Sequence, residues 1–185
     1  NEKDSWIVNL IDSETNFSRG IDNFFINVSL KKLNKTDLSV LYNPVKDENY
    51  YFQKGLGGYK NDFRIRVSEK KRISKSIISF YCKTNESNEN LILGNIRQIL
   101  RASNIETRES GSLSNDICLL ACGKIECVMF FDKDLFVKDQ INLILAETGG
   151  FLNKIIVDKK EICLASNKYI GKILKEMIEN KYEIH

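Results

Sequence analysis

Between residues 77 and 100 the apolar side chains of this chain change their spacing, and that change restricts the fold more than any other feature. Upstream, they come in short runs rich in β-branched and aromatic residues. Trp6-Ile7-Val8 opens the series and Phe24-Phe25-Ile26-Asn27-Val28-Ser29-Leu30 follows with partial alternation. Residues 38–42, 50–53 and 63–67 then predict three more strands. Asn43-Pro44 and Gly55-Leu56-Gly57-Gly58 punctuate these at hairpin spacing, so an antiparallel meander is expected. From residue 77 the order alternates. A strand at 77–81 precedes helical spacing at Leu91, Ile92, Ile96, Ile99 and Leu100. A brief strand at 105–107, an apolar helix at 114–121, a buried strand at 126–131 and a helix at 140–146 ending at Gly149-Gly150 follow. Strands at 155–157 and 162–165 complete the pattern. Ser166 is placed to cap a last helix carrying Tyr169, Ile170, Ile173, Leu174, Met177 and Ile178 on one face.

A meander followed by alternating elements predicts an α/β layered fold, an α+β sandwich of sheets and helices rather than a barrel or bundle. Residues 1–88 are expected to form a β-meander lobe and residues 89–185 an α/β lobe, fused as one structural unit.

With 185 residues, 42% of them apolar, the chain can bury a real core. A formal charge of +3 with 29% charged residues is ordinary for solubility and gives no direct nucleic-acid signal. No apolar run approaches the roughly 20 residues of a membrane span, and no leader pattern opens the sequence, so a cytoplasmic location is expected. A strand as early as Trp6 leads one to expect preceding elements that this sequence lacks. The five cysteines, Cys82, Cys118, Cys122, Cys127 and Cys163, sit mostly in apolar runs and read as reduced, buried thiols. Cys118, Cys122 and Cys127 have no accompanying His for a zinc site, the only His being His185. Glu69-Lys70-Lys71-Arg72 reads as a solvated loop rather than a phosphate site.

Polar residues gather where the first strand ends, in Asn9-Leu10-Ile11-Asp12-Ser13-Glu14-Thr15-Asn16-Phe17. This segment resembles the Asp-Pro-Ile/Leu-Asp-Gly-Thr-Thr-Asn-Phe motif of the inositol monophosphatase family, matching Trp6, Ile11, Asp12, Thr15, Asn16 and Phe17. The resemblance continues in order through Tyr42-Asn43-Pro44, Lys54-Gly55-Leu56-Gly57-Gly58 and Ile65-Arg66-Val67-Ser68. It extends through Arg108-Glu109-Ser110-Gly111-Ser112 with Asp116, Ala121-Cys122-Gly123-Lys124, Glu147-Thr148-Gly149-Gly150 and Ala165-Ser166-Asn167. It covers essentially the whole chain, and its bacterial form is the extragenic-suppressor type.

The resemblance implies the sugar-phosphatase fold that the family shares with fructose-1,6-bisphosphatase, here lacking the N-terminal helical segment. It also implies Mg²⁺-dependent hydrolysis of phosphate monoesters of inositol and similar sugars. The ions activate a water and neutralise the leaving alkoxide, which needs several carboxylates because hard cations take oxygen ligands. Carried onto this chain, the first motif carboxylate becomes Asn9, the Ile11 carbonyl and Asp12 remain, and the later Trp-Asp pair becomes Phe136-Val137, whose Val has no lone pair. A further family Glu would lie ahead of Trp6. The motif Gly-Thr becomes Ser13-Glu14, a sugar-hydroxyl acceptor falls at Phe130, and Leu113 follows the expected substrate contacts Gly111 and Ser112.

The candidate catalytic residues are therefore Asp12 and Glu14, the substrate residues Asp12, Gly111 and Ser112, and the metal positions Asp12, the Ile11 backbone, a degenerate Asn9 and a lost ligand at Val137. One carboxylate cannot hold two divalent cations against a mutual repulsion of several kcal/mol at an effective dielectric of about 20. Magnesium is expected to bind weakly or not at all, and the chain to be a weak phosphatase or a pseudo-phosphatase. The alternative is an active enzyme with a rearranged site, drawing on Asp12, Glu14, Asp132 or Asp134 and on an upstream segment. Partners consistent with the resemblance are an inositol or sugar phosphate, a protein, and a second copy docked through Tyr50, Tyr51 and Phe52 if these are exposed.

Overall fold

The computed structural model describes residues 4–83, 87–131 and 134–182. The meander is a six-stranded antiparallel sheet in sequential order: β1 (Ser5–Asn9), β2 (Ile26–Lys32), β3 (Lys35–Asn43), β4 (Glu48–Gln53), β5 (Gly57–Lys60) and β6 (Phe63–Ile65). A single short helix, α1 (Glu14–Ser18), interrupts it after β1. Alternation sorts its side chains between two faces. The register Ile7, Ser29, Ser39, Phe52 and Gly58 faces inward, while Val8, Val28, Val40, Tyr51 and Tyr59 share the outer face. On that outer face Tyr51 and Tyr59 stack at 5.0 Å, and Trp6 is 62% exposed.

The second sheet is mixed. It contains β7 (Ile77–Cys82), β8 (Glu106–Arg108), β9 (Cys127–Phe131), β10 (Phe151–Val157) and β11 (Lys160–Ser166), in the order β10-β11-β9-β7-β8. β7 runs parallel to β8 and β9, as crossover helices require, and the β10-β11 hairpin adds antiparallel to β9. Helices α3 (Leu113–Ala121) and α4 (Leu135–Thr148) lie between the two sheets: Ile117, Leu120, Ile141 and Ile144 share one apolar cluster with Leu41 and Phe52 from the first and Val128 and Phe130 from the second. Helices α2 (Ser87–Ala102) and α5 (Lys168–Tyr182) cover the other face, where Ile96, Leu100, Leu174 and Ile178 pack on Ile78, Phe80 and Met129. The layers thus run sheet, helices, sheet, helices, the α/β sandwich that the sequence pattern predicts. Among the described residues no helix is long and apolar enough to cross a membrane.

Four details depart from the sequence reading. Gly57 and Gly58 are not turn punctuation but part of β5, opposite Gln53 and Phe52. A Cβ at Gly58 would sit 2.7 Å from Thr148 and 2.8 Å from Phe52, so only glycine lets this strand approach α4 so closely. The last helix is capped by Asn167, whose side-chain oxygen accepts from the Tyr169 and Ile170 amides, while Ser166 ends β11 with its hydroxyl unpartnered among the described residues. Of the three aromatics in β4, only Tyr51 faces outward: Tyr50 and Phe52 are 3% and 0% exposed, because the two-residue period turns both into the core, and neither is placed for docking. Finally, β7 lies within residues 1–88 yet pairs with β9, so the change of sheet falls between Ile65 and Ile77.

None of the five cysteines is in a disulfide, and burial pushes the thiols of Cys118 and Cys127 well above their ordinary range. The stretch 69–72 has no regular structure, and Lys71 lies 5.3 Å over the Tyr169 ring.

Candidate active-site cleft

The loop after β1 is tied down at both ends by Asp12. Its amide donates to the Phe25 carbonyl at 3.1 Å, and its carboxylate accepts the Phe25 amide at 2.6 Å. The other carboxylate oxygen accepts the Ser112 hydroxyl at 2.5 Å and the Ser114 amide at 3.2 Å. Ser112 also caps α3, its oxygen accepting the Asn115 amide at 3.1 Å. Two neighbours stitch the same loops together: the Ser13 hydroxyl donates to the Gly111 carbonyl at 2.8 Å, and the Asn16 amide donates to the Ser110 and Asn23 carbonyls. Gly111 holds φ +77, and a Cβ there would lie 3.2 Å from the Asn16 side chain.

Two cavities open beside Asp12. One, of about 210 Å³, lies between the first sheet, α3 and the start of α4, and is bordered by Asn9, Asp12, Asn27, Leu113, Val137 and Gln140. The other, of about 500 Å³, is bordered by Asn9, Ile11, Asp12, Glu14, Glu109 and Gly111. Tyr81 and Lys83, at the end of β7, border both. The fold therefore brings Asn9, Asp12 and Val137 to one cavity although the last is 125 positions from Asp12 in sequence. Asn9 is exposed, its side-chain oxygen 3.3 Å from the Ile11 amide. Glu14 is exposed at the first position of α1, and Val137 packs partly buried against the core. Phe130 is wholly buried in β9. Asp134 caps α4 by accepting the Phe136 amide at 2.8 Å, and Asp132 lies outside the described residues, as does His185. Among the described residues no group of three or more His, Cys, Asp and Glu is arranged to hold a metal ion.

Behind Asp12, Asp116 is buried in α3, where it accepts the Ser79 hydroxyl at 2.6 Å and the Asn115 side-chain amide at 3.2 Å. Burial pushes its carboxyl above the usual range, and the neighbouring Asp12 charge adds to the rise against the pull of those hydrogen bonds.

Sequence reasoning missed Lys83, Tyr81, Asn27 and Gln140 as cleft residues. Lys83 and Tyr81 carry no motif. Asn27 and Ser29 did leave a signal: they are polar at buried positions of β2, two and four residues after the buried, apolar Phe25. The inward hydroxyls of Ser29 and Ser39 are satisfied by Gln140, which donates to both at 3.0 and 2.8 Å.

The sequence profile of the inositol monophosphatase family matches residues 1–177. The chain is 30% identical over 181 residues to the inositol-1-monophosphatase of Rhizobium meliloti, covering 94% of this chain and 67% of that protein. It is also 30% identical over 166 residues to Nus factor SuhB of Buchnera aphidicola subsp. Schizaphis graminum, covering 87% of this chain and 60% of that protein. The crystal structure of extragenic suppressor protein suhB from Bartonella henselae superimposes with a TM-score of 0.82 at 25% identity, over 96% of this chain and 69% of that chain. The chain thus spans 60–67% of the length of the first two relatives.

Proposed function

Because the chain belongs to the inositol monophosphatase family, we propose that it keeps the family's phosphatase architecture as a non-hydrolysing or weakly hydrolysing binding scaffold, a pseudo-phosphatase. The observation that carries this reading is the state of Asp12. Its oxygens already accept three protein donors, the Phe25 amide on one and the Ser112 hydroxyl and Ser114 amide on the other, which leaves about one of its roughly four lone-pair sites open. Magnesium demands oxygen ligands at about 2.0–2.1 Å in near-octahedral array. Asn9 offers it a neutral amide, and Val137 offers only carbon. Two unit charges 4 Å apart repel by about 4 kcal/mol at an effective dielectric of 20, and a divalent pair by about four times that. The residues present do not fit a magnesium pair.

The test is calorimetric titration with Mg²⁺ together with phosphate release from inositol 1-phosphate. We expect no saturable Mg²⁺ binding and phosphate release near background; Mg²⁺-dependent turnover at ordinary enzymatic rates overturns the reading. A partner-directed role is the form it takes at the level of the whole protein, in keeping with the Nus factor name borne by the Buchnera relative. A second reading, an active phosphomonoesterase whose site is completed by residues outside this sequence, draws on Glu14, which borders the wider cavity with Ile11 and Asp12. Loss of Mg²⁺-dependent phosphate release in Glu14→Gln would identify it.

A further inference from the structure

Charge is unevenly divided along this chain. Residues 64–75 carry six cations, Arg64, Arg66, Lys70, Lys71, Arg72 and Lys75, against one acid, Glu69. In the rest of the sequence the other 22 Lys and Arg are outnumbered by 24 Asp and Glu, so the formal +3 of the whole conceals a local +5.

The stretch links β6 to β7, and the fold fixes its backbone while leaving its charges in solvent. The Val67 amide donates to the Thr148 carbonyl at 3.1 Å, and the Asn167 side-chain amide donates to the Ser68 and Lys70 carbonyls at 2.8 and 3.0 Å. Ile65, Val67 and Ile73 pack inward, whereas Arg64, Arg66, Lys71, Arg72 and Lys75 are exposed. Two more exposed cations adjoin them. Lys124 follows Gly123, where a Cβ would lie 3.0 Å from the Ser68 amide nitrogen, and Lys168 follows the Asn167 that holds Ser68 and Lys70. None of these seven exposed cations forms an ion pair among the described residues.

Each cation is solvated singly, as the charge run predicts, but together they make a field that an anionic partner relieves. The chemistry of the strip selects among such partners. Protein interfaces draw their affinity from a buried apolar centre, and membrane surfaces take up a continuous apolar face. Here the apolar side chains of the stretch are turned into the core. A phosphate backbone needs neither, because counterion release supplies its affinity. Two exposed rings, Phe63 beside Arg64 and Tyr169 with Lys71 5.3 Å over it, add the stacking faces that an unpaired base takes.

We propose that the strip from Arg64 to Lys75, flanked by Lys124 and Lys168, binds single-stranded nucleic acid without sequence preference, its phosphates against the cations and a base on the Tyr169 ring. The strip stands apart from the cleft. Strand β7 starts at Ile77 beside it and runs to the cavities that Lys83 borders, about 20 Å away at the usual rise of a strand. The proposal is therefore independent of whether the cleft holds magnesium.

The test is fluorescence anisotropy of a labelled oligouridylate of about 20 nucleotides, in EDTA, over a series of salt concentrations. Saturable binding is expected at low salt, weakening with a log-log slope of about −3.5, the value for about five phosphate contacts. The Lys71→Glu, Arg72→Glu pair is expected to weaken it at least tenfold. Lys35→Glu with Lys181→Glu makes the same change of net charge at exposed positions elsewhere, and is expected to leave the affinity within threefold of wild type. Tyr169→Ala is expected to weaken binding at least fivefold with the slope unchanged. The proposal is overturned if no saturable binding is seen at low salt, if affinity is independent of salt, if both charge-reversal pairs weaken it equally, or if Tyr169→Ala binds like wild type. It is equally overturned if polyglutamate of matched charge, or vesicles of anionic lipid, bind as tightly as the oligonucleotide, since the strip would then serve a protein or a membrane.

Discussion

The Ser112 hydroxyl donates to the Asp12 carboxylate at 2.5 Å, joining the loop after β1 to the N-cap of α3 across 100 residues of chain. A carboxylate that the family resemblance assigns to chemistry is here holding two loops together. Ser112→Ala removes that charge-assisted bond and the α3 cap at once. From about 1.5–3 kcal/mol for a hydrogen bond to a charged group and about 1 kcal/mol for a cap, the expected destabilisation is about 2.5–4 kcal/mol. Urea unfolding measures it, and the loss should be the same in EDTA and in excess Mg²⁺.

Asn9 and Val137 border the same cavity as Asp12, so restoring both carboxylates tests whether they are what the cleft lacks. The Asn9→Asp, Val137→Asp double variant is expected to bind Mg²⁺ saturably, read by calorimetry, where the wild type shows no saturable binding. Unchanged affinity would show that positions 9 and 137 do not control metal uptake.

Asp116 gives the fold a pH dependence of definite sign. Its carboxyl titrates higher in the folded protein than in the unfolded chain because burial disfavours the charged form. The folded state therefore binds the extra proton. This contribution is fully present below about pH 3.9, the unfolded value, and is lost as pH rises through the raised folded value. Asp116→Asn lacks the titration. The stability of this variant relative to wild type should therefore increase with pH across that window, measured by urea unfolding at successive pH values.

Glu147 accepts the Gly55 and Gly57 amides, each at 2.8 Å, and so fastens the β4-β5 turn to the last turn of α4. Glu147→Ala is expected to cost about 2 kcal/mol, less than two full charged bonds because Gly55 is exposed. Hydrogen exchange should quicken first at the Gly55 and Gly57 amides.

How far the molecule is legible in its sequence depends on whether a residue's role is set locally. The strands of the meander announce themselves because alternation is written every second residue, and α5 because its apolar positions recur on one face. β5 does not, since Gly57 and Gly58 are needed for an approach to Thr148 and Phe52 that no local pattern records. Ser166 and Asn167 are adjacent and both suited to capping, and only the burial of β11 decides between them. In the cleft, Asp12 and Ser112 are found through motif spacing. Lys83 and Gln140 arrive from β7 and α4, and their place beside Asp12 exists only once the two sheets are assembled.

That assembly has a mechanical consequence. Helix α4 is bonded to the first sheet through Asp139, which accepts the Thr36 amide and hydroxyl at 2.6 and 2.7 Å, and through Gln140. Its Ile141 and Ile144 share the core of both sheets. A helix wedged in this way ties the two sheets to each other beside the cleft, so any parting of the halves would have to break these hydrogen bonds and open this shared core.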